Sequence, residues 1–332
     1  MKITKKITII MTAVLIMSLM PYQAFASDLV NEHDNIYTYV DMKRDIKELE
    51  KKYSEIFSSQ SLGKTVDDRD IMYLTLGNKE ASKQIIISAS AHGREYINTL
   101  LVMETVEKIL KNYNRGSYKG IKYKDLFNKI SLHIVPMVNP DGVTISQKGY
   151  NGINDPALRK KAIQIGKGTS SRRWKANAQG VDLNRNWPVG FGNQSTPKPS
   201  PQSWSGPKAI SAKENIALNQ LIKSLPNPRA NISFHCQGRI IYWDSKQKGD
   251  LRTDNYRLAL VAKSINNYPF VKASSSYTFR GYFEDYAILK LKIPTLVIET
   301  GSGVAPLPSS HFPGIYKSNN LIMEAVAARY YR

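Results

Sequence analysis

The sequence predicts an α/β fold in which a mostly parallel sheet is covered on both faces by helices. Short, wholly apolar runs, such as Ile85-Ile86-Ile87 and Leu132 to Val138, have the composition of strands buried on both sides. Between such runs stand longer segments whose apolar residues recur every three or four positions, the period of a helix packed along one face. With 332 residues, 42% of them hydrophobic, the chain is long enough to bury one large core, so one unit spanning 38–332 is the expected organisation.

Taken in order, residues 1–26 have the three parts of an export signal. Lys2, Lys5 and Lys6 precede a mostly apolar run from Ile7 to Met20, and Ala24-Phe25-Ala26 offers small residues for cleavage before Ser27. The run is shorter than the roughly 18 residues a membrane span needs. A cleaved signal and a secreted product, with no span after cleavage, are therefore expected. Residues 27–37 are polar and read as a loose mature N-terminus. From Val40 to Ile56 the residues Val40, Met42, Ile46, Leu49, Tyr53 and Ile56 recur among charges, an amphipathic helix. Ser61 to Gly77 reads as a hairpin, with Asp67-Asp68-Arg69-Asp70 at its turn.

The buried strand at Ile85 runs directly into Ser88-Ala89-Ser90-Ala91-His92-Gly93, and a helical pattern (Leu100, Leu101, Val102, Val106, Ile109, Leu110) follows Glu95. A second apolar strand, Leu132 to Val138, leads into Asn139-Pro140-Asp141-Gly142, which reads as a turn. Residues 140 to 207 show little periodicity and much Gly, Asn, Pro and Ser. That is a long irregular excursion, of the kind that usually carries function. Order returns with a helix near Ser211 to Leu225, a strand from Asn231 to His235 and a helix near Thr253 to Asn267. A strand from Thr295 to Glu299 and a final helix near Tyr316 to Tyr331 complete the alternation. No repeat, linker or low-complexity tract interrupts it.

Cys236 is the one cysteine, so no intramolecular disulfide forms, and on a strand it reads as a small apolar filler. Formal net charge is +20, and loss of the three signal lysines, with no acid among those 26 residues, leaves +17. Such a field concentrates polyanions. No nucleic-acid motif accompanies it, which ranks the anionic polymer of a cell envelope above nucleic acid as partner, with a merely solvating surface as the plain alternative.

Three separated pieces carry the chemistry: His92-Gly93-Arg94-Glu95, His235 within Ser233-Phe234-His235-Cys236-Gln237-Gly238, and Glu299. Two imidazoles and one carboxylate suit a catalytic zinc with an open position, and a further carboxylate suits the acceptance of a proton from water. His92 and Glu95, three apart at a helix start, can face one side. His235 stands where a strand breaks into a glycine loop. His133 lies inside a strand pattern and reads as a core residue, while His33 and His311 lie in loop-like stretches. In Gly180-Val181-Asp182-Leu183-Asn184-Arg185-Asn186-Trp187, the adjacent Asn184 and Arg185 suit capture of a free carboxylate.

Taken together these motifs resemble the zinc carboxypeptidase family typified by carboxypeptidase A, from about residue 38 to the end. The resemblance implies a mixed eight-stranded sheet between helices and one zinc ion per chain held by His92, Glu95 and His235, with Glu299 as general base and acid. It further implies that Asn184 and Arg185 bind the substrate's terminal carboxylate and that Asp182 orients the first zinc histidine. By the family's spacing Tyr277 closes over substrate and Glu284 lines the specificity pocket, where an acid favours a positively charged side group. One departure stands out. Where the family has an oxyanion-stabilising arginine after a tryptophan, Trp174 is followed by Lys175, with Arg172 and Arg173 before it; any of these three cations is a candidate.

At finer grain the chain is similar to the bacterial branch that cleaves γ-D-glutamyl-diamino acid bonds of cell-wall peptides, including those of meso-diaminopimelate. That implies a secreted or cell-wall-associated enzyme with a peptidoglycan stem peptide as substrate. The alternatives are a secreted carboxypeptidase removing C-terminal Lys or Arg, and a non-catalytic envelope-binding protein.

Overall fold

The computed structural model describes residues 28–30 and 36–331; the export signal expected at 1–26, and His33, lie outside the described residues. Helix α1 (Tyr39–Tyr53) begins at Thr38, whose backbone N–H donates to the Asp41 carboxylate at 3.0 Å while Asp41 N–H donates back to Thr38 Oγ1 at 3.3 Å. Its apolar stripe, Met42, Ile46 and Leu49, is buried, as the period predicts. Strands β1 (Phe57–Lys64) and β2 (Asp70–Leu76) form the expected antiparallel hairpin. Then come β3 (Lys83–Ala89), α2 (Ile97–Asn112), a small hairpin of β4 (Ser117–Tyr118) and β5 (Ile121–Lys122), α3 (Tyr123–Lys129) and β6 (Ile130–Val135).

Asn139 to Gly142 is not a plain turn: it opens α4 (Pro140–Lys148). The Asn139 side chain accepts the Gly142 N–H at 2.9 Å and Pro140 takes the first helical position, so residues that favour turns here cap a helix. The excursion from 140 to 207 is accordingly less irregular than its composition suggests. It holds α4, then α5 (Pro156–Ile165) capped by Asp155, and short 3-10 turns at Ser171–Arg173 and Leu183–Arg185.

The rest of the chain forms α6 (Lys213–Ser224), β7 (Pro228–Cys236), β8 (Ile240–Tyr242), α7 (Gly249–Asn266), β9 (Phe270–Val271), α8 (Phe283–Leu289) and β10 (Thr295–Thr300). In place of one final helix there are two, α9 (Phe312–Asn319) and α10 (Ile322–Arg329). Asn319 ends the first by turning its amide to Tyr268 Oη and the Ile315 carbonyl, a side chain competing with the helical backbone. Of the mature N-terminus expected to be loose, residues 28–30 are docked. Val30 is buried, and the Leu29 and Val30 amides donate to the two Glu107 carboxylate oxygens at 2.9 and 2.8 Å.

The main sheet has eight strands in the order β1-β2-β6-β3-β7-β10-β8-β9. Its centre, β6-β3-β7-β10, is parallel, and antiparallel pairs join it to β2 on one side and β8 on the other. After β3 the chain first adds β6 on one flank and then crosses to β7 on the other, which opens a crevice at the carboxyl ends of these strands. Alternation sends Ile85, Ile87, Ile232, Phe234, Leu296 and Ile298 into a layer shared with α1, α2, α3, α7, α9 and α10. Ile86 and Val135 face α6 and α8 on the other side. Among the described residues no helix is long and apolar enough to cross a membrane.

Candidate metal centre and substrate cavity

All four residues of the predicted centre stand at the carboxyl ends of central strands. Beyond β3 the chain passes through Ser90, at φ 53°, into a 3-10 turn, Gly93–Glu95, that brings His92 and Glu95 to one side. Gly93 is required there. A Cβ at this position would lie 2.3 Å from the Gly142 carbonyl oxygen at the start of α4, and the Gly93 N–H donates to the Lys175 carbonyl at 3.0 Å. In the parallel pairing of β7 with β10, His235 stands beside Glu299. The same alternation turns Cys236 into the core layer, as its reading as a filler requires.

The histidine Nδ1 atoms meet. His92 Nδ1 lies 2.8 Å from Glu95 Oε1, His235 Nδ1 lies 3.0 Å from Glu95 Oε2, and the two Nδ1 atoms are 3.1 Å apart. All three residues are buried. The separation of the two ring nitrogens is near the roughly 3.3 Å between ligand atoms on a tetrahedral ion with zinc bond lengths. The donor set and its spacing fit zinc.

Behind His92, its Nε2 is 3.3 Å from Asp182 Oδ1. Asp182 is itself held by the Asn184 and Ser203 amides at 3.1 and 2.9 Å. Burial opposes ionisation of Asp182, but the Lys175 charge and His92 outweigh it and hold the carboxyl well below the usual range. For Glu95, burial is likewise outweighed, by the two histidines, and its carboxyl is lowered. Glu299 goes the other way. Withdrawal from water and the Glu95 charge push it up to about 7, against His235 and Lys175.

In front of the centre is a cavity of about 390 Å³, whose walls include His92, His235, Glu299, Lys175, Asn184, Arg185, Tyr277 and Glu284. Of the three cations left open by the sequence, Lys175 is on this wall; Arg172 and Arg173 do not line it and sit exposed on their 3-10 turn. Asn184 is oriented by the Phe283 N–H, which donates to its Oδ1 at 2.7 Å, and its Nδ2 is 3.4 Å from Glu284 Oε2. The Arg185 guanidinium lies over the Tyr282 ring, 4.5 Å from its centroid, and its buried Nε has no protein partner. Tyr277 donates its hydroxyl to Asp285, 3.0 Å from each oxygen, and Lys246 Nζ donates to the Ser275 and Tyr277 carbonyls at 3.1 Å each.

Sequence reasoning missed this support. Burial and the neighbouring Glu284 push Asp285 up to about 7, yet in sequence it reads as one more acid in the first turn of α8. Tyr242, Ser245 and Lys272 also line the cavity. They come from the short β8 and β9 region, too brief to show a period. The other histidines stay apart from the centre. His133 is buried between Tyr73 Oη and Ser131 Oγ, and burial lowers it to about 4, while His311 is exposed on a 3-10 turn.

Comparison with known proteins agrees with this geometry. Residues 42–319 match the family model described as zinc carboxypeptidase. The chain is 32% identical over 294 residues to γ-D-glutamyl-L-diamino acid endopeptidase 1 of Lysinibacillus sphaericus, covering 87% of this chain and 71% of that protein. Among solved structures, bovine thrombin-activatable fibrinolysis inhibitor superposes with a TM-score of 0.68 at 18% identity, over 88% of this chain and 96% of that one. Murein-tripeptide amidase from Escherichia coli O157 does so with a TM-score of 0.52 at 19% identity, over 81% and 91%. These two show a shared fold. With a parallel-centred eight-stranded sheet, a His-Glu-His cluster at its crevice and a family match over most of its length, the chain belongs to the zinc carboxypeptidase family and is a metallopeptidase.

Proposed function

We propose that this peptidase is exported and cleaves the γ-D-glutamyl-diamino acid bond of cell-wall peptides. The observation that carries the reading is one cavity holding three things: the metal centre, the Asn184 and Arg185 pair, and the Glu284 carboxylate. A leaving residue with a free carboxylate and a second amine, such as a diamino acid, matches that arrangement of charges. The Lysinibacillus relative is named for this bond, which supports the same choice. A basic mature chain and an N-terminal export signal suit an enzyme working at an anionic wall.

His92, Glu95 and His235 would hold the ion, with Asp182 fixing the His92 ring from behind. Zinc bound there supplies Lewis-acid polarisation of the scissile carbonyl and makes water a better nucleophile at neutral pH. Glu299, beside His235 and on the cavity wall, takes the proton of the attacking water and returns it to the leaving amine. Lys175, on the cavity wall, is the cation that would stabilise the negative charge developing on the carbonyl oxygen. Arg185 and Asn184 orient the leaving residue by its carboxylate, Glu284 pairs with its amine, and Tyr277 walls the cavity.

Removal of C-terminal Lys or Arg from ordinary peptides would use the same Arg185 and Glu284. An assay separates the two. The mature protein is given an L-Ala-γ-D-Glu-diaminopimelate peptide and a peptide ending in Arg, each with and without chelator, and products are read by mass spectrometry. Chelator-sensitive release of diaminopimelate supports the proposal. Release of Arg alone overturns it, and wall binding without cleavage of either would favour a non-catalytic envelope protein.

A further inference from the structure

Four consecutive residues at the start of α8, Tyr282 to Asp285, each hold a different part of the substrate cavity. The Tyr282 ring lies against the Arg185 guanidinium, its centroid 4.5 Å from the guanidinium carbon. The Phe283 N–H donates to Asn184 Oδ1 at 2.7 Å, and Asn184 Nδ2 donates to Glu284 Oε2 at 3.4 Å. Asp285 accepts the Tyr277 hydroxyl, 3.0 Å from each oxygen. Gly281 seats this segment. At φ 72° it packs so closely that a Cβ would lie 2.2 Å from the Arg185 carbonyl oxygen, and its own carbonyl accepts the Trp187 N–H at 3.2 Å. That close approach of two backbones is what brings the Tyr282 ring to Arg185.

An arginine that captures a substrate carboxylate has two needs that conflict: it must be held still, and its N–H groups must stay free. A protein carboxylate would hold it but compete with the substrate for the same donors. An aromatic face attracts the charge through its quadrupole and offers no oxygen. Tyr282 lines the cavity beside Arg185, and the Arg185 Nε is buried with no protein partner. The nearest acids are engaged elsewhere. Asp182 feels the Arg185 charge but faces His92 and the Asn184 and Ser203 amides, and Glu284 faces Asn184. We infer that Tyr282 is a positioning residue for carboxylate capture: its ring fixes Arg185 in the cavity and leaves the guanidinium donors for the carboxylate of the leaving residue. The inference rests on the Arg185 role proposed above and is independent of which peptide is cut.

The test gives the zinc-loaded enzyme L-Ala-γ-D-Glu-L-Lys and the same peptide ending in lysinamide, with kcat and KM measured separately. The unaltered enzyme is expected to prefer the free acid. Tyr282→Leu is expected to raise KM for the acid by about 3- to 30-fold, the worth of one cation–π contact, with kcat little changed and cleavage of the amide as before. Tyr282→Phe, which keeps the ring, is expected to behave like the unaltered enzyme. An unchanged KM for the acid in Tyr282→Leu, or an equal loss on acid and amide, would overturn the role of Tyr282 and leave that of Arg185 standing. Acid and amide cut alike by the unaltered enzyme would overturn the Arg185 role and the inference with it. If neither γ-linked peptide is cut while a peptide ending in Arg is, the substrate class alone falls, and the same acid and amide comparison on that peptide decides on Tyr282.

Discussion

Glu95 and Glu299 lie around the same buried histidines yet are driven in opposite directions, Glu95 down by His92 and His235, Glu299 up to about 7 by burial and by Glu95 itself. A carboxylate held ionised suits a ligand; one that resists ionisation suits proton transfer. The roles separate in a paired experiment. Glu299→Gln keeps the shape of the cavity and all three candidate ligands, so zinc content by metal analysis should stay near one per chain while turnover falls by about 10²- to 10⁴-fold. His235→Ala should instead lose the metal. Full zinc occupancy in His235→Ala, or substantial turnover in Glu299→Gln, would contradict these assignments. Both residues were legible in the sequence, because a catalytic zinc needs few residue types and they occur here in recognisable settings. The support behind Tyr277, Asp285 at its hydroxyl and Lys246 under its loop, was not legible: these are common surface residue types made specific by packing.

At the scale of elements, two packing contacts have measurable consequences. The turn that carries His92 and Glu95 rests on the first residues of α4, and Gly93→Ala would place a Cβ 2.3 Å from the Gly142 oxygen. Overpacking against backbone costs about 1–3 kcal/mol. The variant should melt several degrees lower and bind zinc more weakly, as read by calorimetry and chelator competition. A normal melting temperature with normal zinc affinity would show that the turn does not depend on this contact. The second contact joins α6 to the Asn177 loop. Glu214, at the start of α6, is fully buried, accepts a hydrogen bond from Asn177 Nδ2 at 3.1 Å, and is raised to about 7 by burial and by Asp141. Because the folded carboxyl holds its proton more tightly than the unfolded one, the native state binds more protons between about pH 4.5 and 7. Stability is therefore lost as pH rises through that window. Glu214→Gln removes the titration. Compared with the unaltered protein, it should gain stability as pH rises from 5 to about 7 and level off above that, by an amount on the order of 3 kcal/mol. A difference between the two proteins that does not change with pH would refute this account. The turn read at Asn139 became a helix start for a related reason: capping residues and turn residues are the same types, and only the conformation of the next few residues separates the two outcomes.

For the molecule as a whole, the charge of +20 is a property of the sequence, and its sign and size are set without any fold. A protein so basic should bind isolated anionic cell wall at low ionic strength and release it as salt approaches about 0.5 M, where the screening length falls to a few ångströms. Retention that is indifferent to salt in a pull-down would argue against an electrostatic anchor. Strand and helix order was readable because the central strands are apolar on both faces and their connecting helices are long enough to show a period. The outer strands β8 and β9, three and two residues long, carry no such pattern.

The sequence by itself determined the α/β alternation, the ligand types and the net charge, because each depends on composition and local period. The tertiary structure decided which groups meet. The β7 and β10 register sets His235 beside Glu299, the crossover from β6 to β7 opens the crevice, and folding puts Lys175 on the cavity wall while leaving Arg173 in a separate cleft. Proximity between residues far apart in the chain is set by how the sheet is packed and registered, which no local pattern encodes.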